Sequence, residues 1–175
     1  HWFSDQRILP DLARVSGPDP STATGSSSHR ELELVIHPNV PDELAILDAP
    51  DVDSIVTENR ELATQLLAAA DLWVFVTTAA RYADAVPWDH LRTAAARGIS
   101  LVLVLNRVPA GAMDAIRPHL ASMLAEHGLG GVHIYGIEEQ PLVEGRIDAT
   151  AVGELRSWLA TLAADSTARD LLVRQ

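Results

Sequence analysis

Two apolar runs, DLWVFVTT (residues 71–78) and ISLVLVLN (residues 99–106), decide the fold. Both are rich in β-branched and other apolar residues and lack the polar alternation of a half-exposed strand, which is typical of strands buried on both faces. A helical pattern over residues 86–98 lies between them, with Pro87 near its first turn and Gly98 as its stop. Strands that alternate with helices predict a parallel sheet with helices on both faces.

The same alternation continues in both directions from these two strands. Apolar side chains recur at helical or strand spacing in four further segments. The class predicted is therefore α/β, a doubly wound and mostly parallel sheet. Pro118 is expected to bend or split the helix that contains it. The four segments are helices at residues 59–70, 110–128 and about 149–164, and a strand at residues 132–137.

The N-terminal part of the chain shows a different pattern. ELELVIH (residues 31–37) alternates apolar and polar residues as a half-buried strand does, and ELAILD (residues 43–48) follows after the turn PNVPD. Because the connection is short, antiparallel pairing is the simplest arrangement, so we expect an N-terminal antiparallel hairpin strand. Residues 1–30 are rich in Ser, Thr, Gly and Pro and are expected to be a variable, loop-rich segment.

Composition limits the classes of function. The chain has 175 residues, the size of one domain, and a formal net charge of −11, which disfavours nucleic acid as a partner. No run of about 18 apolar residues is present, so no transmembrane segment is expected. Cysteine is absent, which excludes disulfides and thiolate chemistry and is compatible with a cytoplasmic location. All thirteen basic residues are Arg, so no lysine-dependent mechanism is complete in this chain.

In doubly wound sheets ligands bind beyond the carboxyl ends of the strands, and three such places carry polar residues. The stretch DAPDVDS places Asp48, Asp51 and Asp53 after the second hairpin strand. Such carboxylates suit a hydrated Mg²⁺, although they are equally suited to cap the following helix. Asn106 ends the strand at residues 99–106. Its side-chain amide has a hydrogen-bond donor and an acceptor, which can recognise a purine edge or can simply bond to the backbone of its own loop. Arg81 and Tyr82 follow the other buried strand. They belong either to a loop that binds a partner or acts as a switch, or to an ordinary packed loop.

Taken together, residues 31–164 resemble the G domain of TRAFAC-class P-loop GTPases, most closely the dynamin-like bacterial group. DAPD stands where that family has Asp-x-x-Gly, and NRVP stands where it has Asn-Lys-x-Asp. The resemblance implies a Ras-like fold, a Mg²⁺ held through Asp48, and a guanine nucleotide contacted by Asn106 and Arg107. The last loop that contacts the base would include Ile137 and Glu138.

This chain departs from the motifs of that family at several positions. Asp51 replaces the glycine that meets the γ-phosphate, and Pro109 replaces the acid that selects guanine. The GxxxxGK[ST] phosphate loop is missing, and because the chain begins with His1 rather than Met, we expect the first strand and that loop to precede it. The absent strand would lie between residues 43–48 and residues 71–78. Either these two strands pair directly, or another chain fills the place between them. Residues 165–175 are expected to be a C-terminal helical extension.

Two classes of function follow. The first is the carboxyl-side portion of a GTP-hydrolysing domain that uses Mg²⁺ in its intact parent and is inactive as an isolated piece, with no catalytic residue assigned here. The second is a pseudo-GTPase or scaffold without turnover, which acts on a protein partner or as a homodimer. A phosphorelay receiver domain and a haloacid-dehalogenase-like phosphatase fit the acids after the strands less well, because both require a Lys. His127 and His133 lack a third ligand for zinc.

Overall fold

The computed structural model describes residues 9–16, 31–41, 44–51 and 56–165. Contacts divide the chain into two compact units, residues 1–70 and residues 71–175. The boundary lies inside the segment that the sequence pattern assigns to one partial G domain. Among the described residues, none of the helices has both the length and the hydropathy that crossing a membrane requires.

The first unit contains two short strands and one helix. β1 (Ala13–Ser16) pairs in parallel with β2 (Glu31–Leu34) over the whole length of both strands. α1 (Thr57–Ala69) buries Ala63 and Leu66, two positions one turn apart on the same face of the helix. The strand β1 lies within the segment predicted to be loop-rich, so that segment contributes regular structure to this unit.

The predicted antiparallel hairpin is not confirmed. β2 ends at Leu34 and pairs with β1 instead, and the described part of residues 35–51 contains no strand. A turn in this stretch is closed by a hydrogen bond from Val40 N–H to the His37 carbonyl, and a further bond joins Leu44 N–H to the Pro41 carbonyl, each 3.0 Å long. Only the first four residues of the alternating segment form a strand. Val35, Ile36 and Ile46 are 46%, 98% and 64% exposed, so these apolar residues after β2 do not form the buried face that a hairpin strand needs.

The second unit is the larger α/β unit and confirms the predicted class. Its strands are parallel and adjacent in the order β3-β4-β5, as consecutive β-α-β crossovers require. The elements in chain order are β3 (Leu72–Thr78), α2 (Ala85–Ala96), β4 (Ser100–Val108), α3 (Met113–Glu126), β5 (His133–Glu138) and α4 (Gly153–Ala164).

Helices cover both faces of this sheet. Leu103 and Leu105 of β4 belong to the apolar layer that α2 and α3 complete on one face. Val102 and Val104 point the other way, into the layer completed by α4. Because successive side chains of a strand alternate between faces, one apolar run supplies both layers, as predicted for β4.

Two glycines end helices as the sequence predicts. Gly98 (φ 67°) follows α2, where Ile99 N–H donates to the Ala94 carbonyl at 3.0 Å. Gly128 (φ 76°) follows α3 with the equivalent bond, from Leu129 N–H to the Leu124 carbonyl, at 2.8 Å. Both are Schellman-type stops, which require the left-handed conformation that glycine adopts without strain.

The last two helices differ from the sequence-based picture in one respect. α3 continues through Pro118 without being split, so the ring removes a single helical hydrogen bond inside an otherwise continuous helix. α4 ends at Ala164. Of residues 165–175, predicted to be a helical extension, Asp165 has an extended backbone and the others lie outside the described residues.

Candidate functional site

The carboxyl ends of β3, β4 and β5 meet at one edge of the parallel sheet. The pairing sets Thr78 beside Asn106 and, on the other side of β4, Val108 beside Glu138. The structure therefore brings together Asn106 and Arg107 with Ile137 and Glu138, four residues that the sequence singled out for base binding. This edge is the place where ligands bind in open α/β sheets.

A β-bulge shapes the end of β4. Its register with β5 runs evenly to Leu105 opposite Gly136 and then shifts, so that Val108 lies opposite Glu138. β4 thus carries one extra residue in this interval. Arg107 has a φ of 52°, the left-handed region that a residue with a Cβ rarely adopts. Bulges bend a strand and redirect its side chains, which is why they recur beside binding sites.

The oxygen and the nitrogen of the Asn106 carboxamide have different environments. Its Oδ1 accepts the Arg107 N–H at 2.8 Å, while its main-chain carbonyl accepts the Ala79 N–H at 3.0 Å. Within the described residues, the Nδ2 amide group of Asn106 has no partner. The carboxamide therefore keeps its acceptor for the loop and leaves two N–H donors open. Both sequence-based interpretations of Asn106 are compatible with this arrangement. Its oxygen bonds within its own loop, and its nitrogen is available to a ligand.

Replacing Arg107 with Gly is expected to leave the stability unchanged or to raise it by up to about 1 kcal/mol. Glycine adopts a φ of 52° without the steric cost that a Cβ brings, although it also makes the unfolded chain more flexible. Urea denaturation followed by circular dichroism measures this. Arg97→Gly is the matched control, because Arg97 has a right-handed φ of −90°. A loss above about 1 kcal/mol for Arg107→Gly alone would show that the guanidinium stabilises the bulge.

A cavity of about 340 Å³ lies at the end of β5. Ile137 is 7% exposed and packs in the α4 layer, so its side chain faces the core and not the cavity. Glu138, in contrast, is exposed and lines the cavity. Gly136 and Glu139, which flank the two predicted base-contacting residues, also line the cavity. Sequence reasoning missed Gln140 and Ala151, because their contribution depends on how residues 140–151 fold back.

The chemistry of this cavity is that of an acceptor site. Two glutamate carboxylates and one carboxamide lie on its wall, and none of its lining residues is basic. Such a wall repels phosphate and favours groups that donate hydrogen bonds, such as ring N–H and amino groups.

α3 fits closely over β5 beside the cavity. A Cβ built on Gly136 would lie 2.4 Å from the Met113 Cε and 2.9 Å from the Arg117 Nη2. Any larger residue there would displace the ends of both side chains, so Gly136 lets α3 approach the strand. The long side chain of Arg117 is the nearest cation to this part of β5 that these contacts reveal.

The loop after β3 is fastened by its own side chains. Arg81 Nε donates to Asp84 Oδ2 at 3.1 Å, which forms an exposed ion pair three residues apart. The Tyr82 hydroxyl lies 2.8 Å from Nδ1 of His119 on α3, and the two rings meet edge-to-face with centroids 5.7 Å apart. The predicted partner loop is thus anchored to α3 through Tyr82, which supports the packed-loop interpretation of this residue.

Replacing Tyr82 with Phe is expected to cost about 1 kcal/mol, because the bond to His119 is lost while the ring contact stays. Tyr135→Phe is the matched control, since the chain contains two tyrosines and no hydrogen bond of the Tyr135 hydroxyl is present among the described residues. Thermal unfolding of both variants measures the difference. Equal stability of Tyr82→Phe and wild type would show that the hydroxyl bond contributes nothing net.

Tyr135 gives a pH dependence of its own. Burial raises the pKa of its hydroxyl above 10.0, and the nearby Glu154 carboxylate raises it further. Folding therefore favours the protonated phenol, which stabilises the protein fully below pH 10.0 and loses this contribution as the pH rises through the raised value. We expect the wild-type free energy of unfolding to fall more steeply above pH 10 than that of Tyr135→Phe. Parallel curves for the two proteins would contradict this.

The acids predicted to hold Mg²⁺ belong to the first unit. Asp48 and Asp51 are exposed and lie outside regular structure, and Asp53 lies outside the described residues. No group of three or more His, Asp or Glu side chains able to hold a metal is present in the described part of the chain. The assignment of Mg²⁺ to Asp48 therefore stays a prediction from the sequence.

Comparisons of the chain with protein-family models, with curated proteins and with solved structures give no match. The resemblance to P-loop GTPases therefore depends on the residues of this chain alone.

Proposed function

We propose that this chain is the carboxyl-side, base-binding portion of a GTP-binding P-loop domain. The observation that carries the proposal is the free Nδ2 group of Asn106, which has no partner among the described residues and is held on a bulge at the carboxyl end of the central strand of a parallel sheet. An amide in this position donates to the acceptor atoms of a purine, its N7 or O6. Arg107 follows directly, and its exposed side chain can lie along the plane of the base.

The acceptor cavity at the end of β5 supports a guanine more than an adenine. Guanine carries a ring N–H and an amino group side by side, and these pair with a carboxylate such as that of Glu138. In this proposal Glu138 and its neighbours supply acceptors that Pro109 cannot supply. The Mg²⁺ expected with the nucleotide would neutralise phosphate charge in the intact parent.

Phosphate binding is the part of this function that the chain lacks. It has no Lys, and no GxxxxGK[ST] motif is present to hold the β- and γ-phosphates. In the intact parent, hydrolysis would proceed by positioning and electrostatic stabilisation of the transferred phosphoryl group. The isolated chain is expected to bind GTP weakly through its base and to hydrolyse none of it.

Titration calorimetry with Mg²⁺ tests this function, using GTP, ATP and guanosine on the full chain. We expect weak binding of GTP and guanosine, and a loss of about tenfold in affinity for Asn106→Ala, the value of one or two hydrogen bonds. Asn39→Ala, an exposed residue of the first unit, is the control that should leave affinity unchanged. Tight binding, or equal affinity for wild type and Asn106→Ala, would contradict the proposal.

The second candidate is a protein-interaction domain of the pseudo-GTPase or scaffold kind. It is favoured by Asp51 and Pro109, which occupy positions where a working GTPase needs other residues, and by Val76, which is 59% exposed on an edge strand. Under this alternative none of the three ligands would give binding heat, and the chain would instead associate with protein.

A further inference from the structure

The outer edge of β3 leads to an inference beyond nucleotide binding. β3 is the end strand of the order β3-β4-β5, and in the described part of the chain no strand pairs with its other side. Ala79 N–H donates to the Asn106 carbonyl of β4, which shows that odd-numbered residues of β3 direct their backbone groups towards β4. Val74 and Val76 therefore direct their N–H and C=O groups outward, away from the sheet.

The side chains of the same two valines are also exposed. Val74 is 38% and Val76 59% exposed, on the face where α4 covers β4 and β5. Their register partners Val102 and Val104 are buried, so the apolar surface under α4 continues outward onto β3. Outward backbone groups and exposed β-branched side chains thus coincide at two alternate residues.

β3 lacks three features by which proteins protect an edge strand from pairing, namely charged residues, proline and a bulge. Leu72–Thr78 contains no charged residue and no proline, and its register with β4 is even throughout. Natural edges are usually interrupted by charge, proline or a bulge, because an open row of N–H and C=O groups is a template for another strand. The edge is therefore built to receive a strand of similar chemistry.

We propose that two copies of this chain associate through β3, antiparallel and about a twofold axis, so that their three-stranded sheets become one sheet of six strands. Pairing centred on Phe75 sets Val74 opposite Val76 of the second copy, which matches the outward backbone groups of both. It also sets Asp71 opposite Ala79 of the second copy, so no like charges face each other along the strands.

A second copy is the occupant that the chemistry favours. The partner strand must be extended, uncharged and β-branched, and β3 itself has these properties. Pairing β3 with the outer edge of β5 would instead place Glu138 on the interface and would leave further edges open, whereas a twofold β3 contact closes. One strand pair is small compared with the roughly 1,200–2,000 Å² of a stable interface, so the dimer is weak and concentration-dependent.

Sedimentation of the full chain over a range of concentrations tests the proposal. We expect the mass to rise from 18.9 kDa towards twice that value, and to rise further with salt, because each copy carries a charge of −11. Val74→Lys and Val76→Lys should remain monomeric. Val143→Lys, at a site that is 71% exposed, adds the same charge elsewhere and should dimerise like wild type. Circular dichroism establishes that each variant is folded.

A cross-link tests the register and does not depend on a disruptive variant. The chain has no cysteine, so Val74→Cys with Val76→Cys supplies the thiols that oxidation can join. Directly opposite Cα atoms about 5.5 Å apart permit a disulfide between copies. We expect a disulfide-linked dimer to form several-fold faster than with Val143→Cys. A monomeric wild type, a dimer that survives both Lys variants, or equal cross-linking rates would overturn the proposal, and a monomer would leave this edge to a strand of another protein.

Discussion

Leu105→Ala is expected to destabilise the second unit by about 2–5 kcal/mol, the range for a buried leucine whose neighbours cannot collapse into the space. Leu105 is 0% exposed and lies in the central strand, where it packs in the layer formed with α2 and α3. Urea denaturation followed by tryptophan fluorescence measures the loss, since Trp73, Trp88 and Trp158 all belong to this unit.

The matched control is Val143→Ala, at a valine that is 71% exposed in the loop between β5 and α4. Its cost should stay within about 0.5 kcal/mol, as for most surface substitutions. A loss below about 1 kcal/mol for Leu105→Ala would contradict the arrangement in which β4 is the centre of two apolar layers.

Trp88→Ala and Trp88→Phe are expected to differ by several-fold in their cost. Trp88 is 5% exposed in the α2 layer and contacts the His127 ring with centroids 4.7 Å apart. Truncation to Ala removes this packing and should cost about 3–5 kcal/mol. The Trp88 Nε1–H is buried without an acceptor among the described residues, a situation that already costs the wild type about 1–3 kcal/mol.

Phe keeps most of the aromatic ring and removes the N–H that has no acceptor in the described part of the chain. The two effects oppose each other, so Trp88→Phe should change the free energy of unfolding by less than about 1.5 kcal/mol. Chemical denaturation of the two variants, read by circular dichroism because a fluorophore is lost, gives both values. If Phe costs as much as Ala, the indole N–H has a favourable partner after all.

The local features of the second unit were largely predictable. The two apolar runs became β3 and β4, and the helices between and after them end at Gly98 and Gly128 as expected. Each of these signals is carried by residues that are neighbours in sequence: hydrophobic periodicity, a first-turn proline, a glycine after the last turn. No knowledge of the partner element is needed to recognise them.

Burial of β3 was not predictable to the same degree. Its composition indicates burial on both faces, as for β4, yet Val76 is 59% exposed, because β3 is the end strand of the order β3-β4-β5 among the described residues and α4 covers β4 and β5. The predicted hairpin was not confirmed for a related reason, since β2 pairs with β1, across the long segment 17–30. The composition of a strand shows which degree of burial it can accept, whereas the neighbouring elements decide its actual burial and its pairing partner.

The candidate site shows the same division within a few residues. Its position at the carboxyl ends of the strands follows from the α/β class, and the residue types found there are enough to single out Asn106, Arg107 and Glu138. The bulge has no such signal, because neither Gly nor Asn marks position 107, where an Arg adopts a φ of 52°. Nor does any local pattern show that Asn106 uses its oxygen internally and keeps its amide available.

By itself the sequence determined the alternation of strands and helices, the helix ends and the absence of lysine and cysteine chemistry, since each depends on residue identity or on spacing along the chain. Only the tertiary structure decided which strands pair, which valines stay exposed, and how the ends of β4 and β5 form a bulge beside a cavity. These features arise from contacts between residues distant in sequence, whose energies no single segment encodes.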